Sequence, residues 1–234
     1  MSIDRTSLPG RQPSRLTKDL ILDGGERVFV LALFAVFVHR MLPQLVQLIR
    51  AQIDYPELIV TAAGLNAQAL LLILSEGLGV LLILMRRHSP SISSHPFDWA
   101  LCLLAAALPL LVSRAPAGTL LPAEAATALM LAGLGVQIAA KLALWRSFGL
   151  VPANRGVRTG GLYRVIRHPM YAGYMLTHIG FLLGFPLLQN ALLYGAAFVV
   201  QLARIMREEA ILGRDADYAD YARRVRYRLL PGIF

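Results

Sequence analysis

The sequence predicts an all-α, polytopic transmembrane helical bundle of about six membrane segments, with the last two as a helical hairpin and both termini cytoplasmic. Three observations carry that prediction. Of 234 residues, 56% are hydrophobic and only 16% charged, against roughly a quarter charged in a soluble domain. The apolar residues gather in separated stretches near the ~20 residues that cross ~30 Å of hydrocarbon. The positive charges, finally, fall almost entirely on one side of those stretches.

In chain order, residues 1–27 read as a basic cytoplasmic leader, because they lack the continuous apolar core of a cleaved signal. Apolar runs follow at about 28–49, 58–85, 99–113, 123–144, 171–184 and 187–206. Each must be helical to cross lipid, since a lone strand leaves its backbone polar groups unsatisfied there. The third and fifth are short. Only "FPLLQN" separates the fifth from the sixth, which predicts a tight hairpin turned at Pro186.

With the N-terminus inside, five Lys and Arg precede residue 28, two lie at 86–87, six fall between 141 and 167, and seven lie from 204 onward. Those twenty face only Arg50 and Arg114 outside, with Arg40 inside the first segment. The formal charge of +9 is therefore a membrane topology signal, and nucleic acid is not an expected partner. A single cysteine, Cys102, rules out an internal disulfide, and no Cys/His cluster has metal-ligand spacing. No internal repeat is visible, which argues against a secondary transporter.

The chain divides by character: 28–145 supplies membrane helices 1–4, and 146–234 carries the clustered polar chemistry. Within "LYRVIRHPMYAGY", Pro169 opens a helix, so His168 precedes its first turn. His168, Tyr171 and Gly173 then lie near the cytoplasmic interface, where a helix N-terminus offers free N–H groups. An interfacial belt of Tyr and Arg is the alternative reading. At the end of the sixth run, "RIMREE" places Arg204 and Glu208 four apart on one helix face, an arrangement also found in plain surface ion pairs. Adjacent Glu208 and Glu209, the Tyr218/Tyr221 pair and a basic tail should face the 146–171 loop.

Together, "GLYRVIRHPMYAGY", "REEAIL" and "YADYARRVRYRLLPGIF" resemble the isoprenylcysteine carboxyl methyltransferase and phospholipid methyltransferase group of integral membrane enzymes. The resemblance covers roughly residues 146–234. It implies S-adenosyl-L-methionine as methyl donor, bound at the cytoplasmic face of the last helices. By the same resemblance Tyr163, His168, Pro169, Met170 and Tyr171 match cofactor-binding positions, and Glu208 the cofactor-contacting acid. Arg204 matches the arginine that approaches the methyl acceptor, and Arg155 stands where carboxyl methyltransferases have a histidine. The implied setting is a bacterial inner membrane or the endoplasmic reticulum, with membrane lipid as a partner and a lipophilic acceptor from the bilayer, an isoprenylcysteine-like carboxylate or a phospholipid amine.

Methyl transfer from a sulfonium is an in-line displacement helped mainly by positioning and desolvation. An acceptor carboxylate needs only a cation such as Arg204 to orient it. An amine must lose a proton, a base task for Glu208 or Glu209. Both acceptor classes stay open, as does a thiol. Glu76 is an ionisable group at membrane depth, with Asn66, Gln68 and Ser75 as possible partners. His39-Arg40 interrupts the first segment, and His178 reads as an interior histidine. The "GLG" at 77–79 and 133–135 lacks dinucleotide-loop spacing, and small residues over 132–139 favour close helix packing. The competing readings are an NADPH-dependent enzyme of the sterol-reductase type and a non-enzymatic transporter or scaffold.

Overall fold

The computed structural model describes residues 13–54, 59–86, 88–89, 92–115 and 118–234. Those residues form seven helices and no strand: α1 (Pro13–Asp54), α2 (Ile59–Met85), α3 (Pro96–Ala107), α4 (Ala123–Leu144), α5 (Pro169–Gly184), α6 (Leu188–Leu212) and α7 (Ala216–Arg224). Short 3-10 turns follow α3 at Leu108–Leu111 and α4 at Trp145–Ser147, and a third precedes α5 at Gly161–Arg164.

Among the described residues three helices are long and apolar enough to cross a bilayer, over Thr17–Gln47, Gln68–Met85 and Ala123–Ser147. The other apolar runs differ from that standard in two ways. Pro96–Leu111 and the 16-residue α5 are short. The 25-residue α6 carries Arg204, Arg207, Glu208 and Glu209 in its second half. Leucines such as Leu70, Leu74, Leu81, Leu103 and Leu192 are exposed. So much apolar surface on the outside of a bundle is suited to lipid rather than water.

Two expectations are corrected here. Residues 13–27 are not a separate leader but the first turns of α1, because Asp23 and Glu26 are buried against partners from other elements. Lys141, counted with the loop charges, is a buried residue of α4. Of the charges assigned to the inside, Arg5, Arg11 and Arg87 lie outside the described residues.

The core of the second half is the α4–α5 pair, where the helix backbones touch. A Cβ on Gly133 would stand 2.6 Å from the Thr177 nitrogen and 2.8 Å from the Gly173 oxygen. One on Gly173 would meet the Gln137 nitrogen at 2.9 Å, and one on Gly180 the Met130 nitrogen at 2.9 Å. The contact stripe on α4 is Ala126, Met130, Gly133, Gln137 and Ala140, all buried. Its alternating spacing of four and three keeps one helix face turned to a neighbour. Of the small stretch 132–139, Gly133 makes the close approach, while Gly135 faces open space.

Phe185, Pro186 and Leu187 join α5 to α6 as tightly as expected. The glycine face nonetheless lays α5 along α4, and α6 packs chiefly on α3 and its 3-10 turn. Asn190 fixes that second contact, accepting from the Ser113 N–H at 2.9 Å and donating to the Ser113 oxygen at 2.8 Å. At the other end of α6, Arg207 pairs with Asp98 at 2.6 Å.

Gly133→Ala should therefore destabilise the detergent-solubilised protein by about 1–3 kcal/mol through overpacking. Gly135→Ala, with nothing to collide with, should leave the thermal midpoint unchanged or slightly raised. Equal midpoints for the two variants would contradict the backbone contact.

Candidate functional site at the polar end of the bundle

After α4 the chain folds back over one end of the bundle, and a buried carboxylate holds it there. Glu26, fully inaccessible, accepts from the backbone N–H of Leu150 at 2.7 Å and of Val151 at 3.0 Å. It also binds Arg86 at 2.8 Å and Arg155 at 2.9 Å. Asp23, one turn earlier, takes Arg86 at 2.5 Å and Arg27 at 2.9 Å. Arg155 closes the loop on itself by donating to the Val151 oxygen at 3.1 Å, lying across Gly149, where a side chain would collide with the guanidinium. Burial pulls the Arg155 guanidinium down to about 10, and Glu26 opposes the fall. At neutral pH it stays charged.

The second wall is the turn before α5. His168 occupies the N-cap position and Pro169 the first turn, as expected, and no side chain caps the helix. The C-terminal tail straps this turn from behind: the Arg167 and His168 N–H groups each donate to the tail, to the Tyr227 and Arg228 oxygens at 2.9 Å. Glu209 fastens the strap. Its carboxylate meets His168 Nε2 at 3.1 Å, Arg167 Nε at 3.3 Å and Arg228 Nε at 2.9 Å. Burial raises the Glu209 carboxyl, but hydrogen bonds from His168 and Arg228 and the Arg167 charge outweigh it and leave the group below its ordinary value. Tyr221 donates to the Tyr163 oxygen at 2.8 Å, so α7 is held to the same turn. Burial pushes the Tyr163 hydroxyl well up.

Between these walls lies a small pocket of about 100 Å³ lined by Gly149, Tyr163, His168, Met170, Tyr171 and Glu208, among others. Glu208 accepts the Tyr171 hydroxyl, and its second oxygen stands 3.9 Å from His168. One turn back on α6 the environment changes. Arg204 lines a separate cavity of about 930 Å³ that runs between α1, α2, α4 and α5, with apolar walls from Val30, Phe34, Leu72, Val80 and Phe148. Arg204 is 4% exposed and donates to the Leu150 oxygen at 2.9 Å and the Gln201 side chain at 3.3 Å. The Tyr171 ring lies 5.3 Å from its guanidinium. Its Nε is buried without a partner, and among the described residues no carboxylate pairs with it. A buried cation without a carboxylate has charge left to offer an anion.

Arg204 and Glu208 thus share a helix face, as their spacing predicts, but do not pair; they open into adjoining compartments separated by Leu150 and Tyr171. Tyr163, His168, Met170, Tyr171 and Glu208 meet at the small pocket, which Pro169 shapes as the first residue of α5. Glu209 faces the tail instead. Glu76 pairs with Lys141 at 2.9 Å, and Lys141 also donates to the Ser75 oxygen at 2.8 Å and its hydroxyl at 3.0 Å. His178 stacks on Tyr194 at 4.3 Å and lines the large cavity. Sequence reasoning missed the Asp23–Glu26–Arg86 cluster. Its available signal was the recurrence of Asp19, Asp23 and Glu26 at helical spacing ahead of the first apolar run.

Residues 124–215 match the phospholipid methyltransferase family, within the group that the RHPxY and EE motifs resemble. The matched region runs from the first turn of α4 through the cap of α7 and contains both pocket walls. The match covers 92 of the 234 residues. No curated protein matches the sequence.

Two outcomes test the geometry. Glu26→Gln leaves Arg86 and Arg155 without a full counter-charge, so it should cost about 3–5 kcal/mol and speed proteolysis within 148–160. Strapping of the tail should be acid-labile. Because the folded Glu209 carboxyl lies below its ordinary 4.5, its contribution is whole above that pH and fades as pH falls through the lower folded value. Cleavage of the 225–234 segment should therefore rise below about pH 4.5. In Glu209→Gln it should be fast throughout that range.

Proposed function

We propose that the protein is an S-adenosyl-L-methionine-dependent methyltransferase that acts on a lipophilic acceptor drawn from the membrane, with the reaction at the cytoplasmic face. One observation supports this reading above the others: a polar pocket and a lipid-sized apolar cavity meet at a single turn of α6, with Glu208 in the first and Arg204 in the second. A group transfer between a water-soluble donor and a membrane-dissolved acceptor needs that juxtaposition.

The small pocket fits the donor in chemistry. Glu208 offers a carboxylate to an ammonium or to ribose hydroxyls. The uncapped first turn of α5 aims N–H groups of Met170 and Tyr171 at a carboxylate. In volume it holds only part of such a molecule, so the 148–161 loop must draw back from Tyr163 and Tyr171 on binding. Once bound, the cofactor supplies an electrophilic methyl on a sulfonium. The chain's own part is to align that methyl with the cavity, to keep water out with Leu150 and Tyr171, and to orient the acceptor with Arg204.

Arg204 also bears on the acceptor's class. A cation buried without a carboxylate favours an anionic acceptor and disfavours an ammonium, which would be desolvated beside a like charge. Glu209, already held by His168, Arg167 and Arg228, is a positioning residue. A carboxylate acceptor requires no base, and Glu208 remains the base candidate for an amine.

Calorimetry with S-adenosylhomocysteine tests the pocket. Binding should be lost, by about a hundredfold or more, in Glu208→Gln and His168→Ala while thermal midpoints hold. Unchanged affinity in both would remove the pocket from the reaction. Arg204→Ala should bind the same ligand normally and fail in turnover.

A further inference from the structure

The large cavity has a second basic end, far from Arg204. Arg40 and Arg114 both line it. Arg114 lies over the Phe181 ring at 5.8 Å and reaches Gln68 Oε1 at 3.5 Å. Arg40 donates to the Leu110 oxygen at 3.2 Å. Among the described residues neither has a carboxylate partner. This contrasts with Lys141 on the same cavity wall, whose charge is matched by Glu76 at 2.9 Å. Lys141 is the other cation lining the cavity and has its acid; among the described residues the buried Arg204, the half-buried Arg114 and the exposed Arg40 have none.

Their separation follows from α5. Arg204 sits beside Tyr171 and Arg114 beside Phe181. The two rings are ten positions apart on the helix, or about 15 Å along the axis. The wall between is largely apolar, with Phe34, Phe37, Leu72, Val80 and Ala105 facing it. A plain hydrocarbon tail threaded past Arg204 would end against two guanidiniums and the Gln68 amide. Desolvating those groups against a methyl terminus costs free energy that nothing on the apolar chain returns. A chain that carries an anion at that end recovers it through charge-assisted hydrogen bonds.

We infer that the cavity takes an amphiphile with an anionic group at each end, one held by Arg204 and the other by Arg40 and Arg114, with about a dozen carbons between. The inference rests on reading the cavity as the acceptor site and adds to it the chemistry of the acceptor's far end. Arg40 and Arg114 then set specificity without touching the reacting atoms.

Dodecanedioate and dodecanoate, measured by equilibrium dialysis against nanodisc-embedded protein with empty nanodiscs as the blank, test it directly. The dicarboxylate should bind about tenfold tighter or better. The Arg40→Gln, Arg114→Gln double variant should bring it down to the level of dodecanoate, whose own affinity stays put. Arg114→Lys, which keeps the charge, should retain the preference. An ω-phosphonododecanoate arm identifies the far anion: binding tighter than the dicarboxylate assigns a phosphate end, weaker binding a carboxylate end. Equal binding of the two carboxylates, or a preference that survives the double variant, overturns the inference. Binding of S-adenosylhomocysteine to the same variants is a separate readout. If it fails while the dicarboxylate preference stands, the donor reading falls and the two-ended site remains.

Discussion

The buried Glu26 carboxylate is the interaction on which the site depends. It joins three parts of the chain that are remote in sequence: α1, the end of α2 through Arg86, and the 150–155 loop through two N–H groups and Arg155. A loop crossing the polar end of a bundle has many backbone groups to satisfy and little apolar area with which to anchor itself. Glu26 supplies the missing acceptor. The Leu150 N–H is held by Glu26, while the Leu150 oxygen receives Arg204 and the Cys102 thiol. One residue of loop therefore forms the partition between the two compartments, and its position is set by an acid about 120 residues earlier.

A rigid plank stands behind that partition. The backbone contact of α4 with α5 leaves no room for side chains at Gly133, Gly173 and Gly180, so the two helices behave as one body. Tyr171 and His168, at the start of α5, inherit that rigidity, and Glu209 fixes the turn from the other side through Arg167 and Arg228. The elements that must stay still are packed backbone to backbone or pinned by charge. The 148–161 loop belongs to the second kind, held by Glu26 through Leu150, Val151 and Arg155.

Charge in the interior is distributed unevenly. Lys141 with Glu76, and Arg86 with Asp23 and Glu26, are matched pairs that fold the protein. Arg204, by contrast, has no carboxylate partner among the described residues and donates to the Leu150 oxygen and Gln201. A buried guanidinium without an acid carries a cost of burial that its bonds to Leu150 and Gln201 only partly offset.

Much of this was legible from the amino-acid order alone. The apolar runs and sparse charge determined an all-helical membrane chain, because lipid admits no other open structure. Pro169 determined where α5 begins, through its fixed φ and missing N–H, and the RHPxY and EE motifs pointed to the region, 124–215, that matches the phospholipid methyltransferase family. The spacing of Arg204 and Glu208 determined that they share a face. Only the tertiary structure decided that they open into different compartments, because Leu150 and Tyr171, which divide them, come from other elements. It likewise decided that Lys141 answers Glu76 and that Glu26 belongs to the loop rather than to a leader. Pairings between residues some 65 to 125 positions apart leave no periodic trace in the sequence. They exist only because packing brings the partners to the same place.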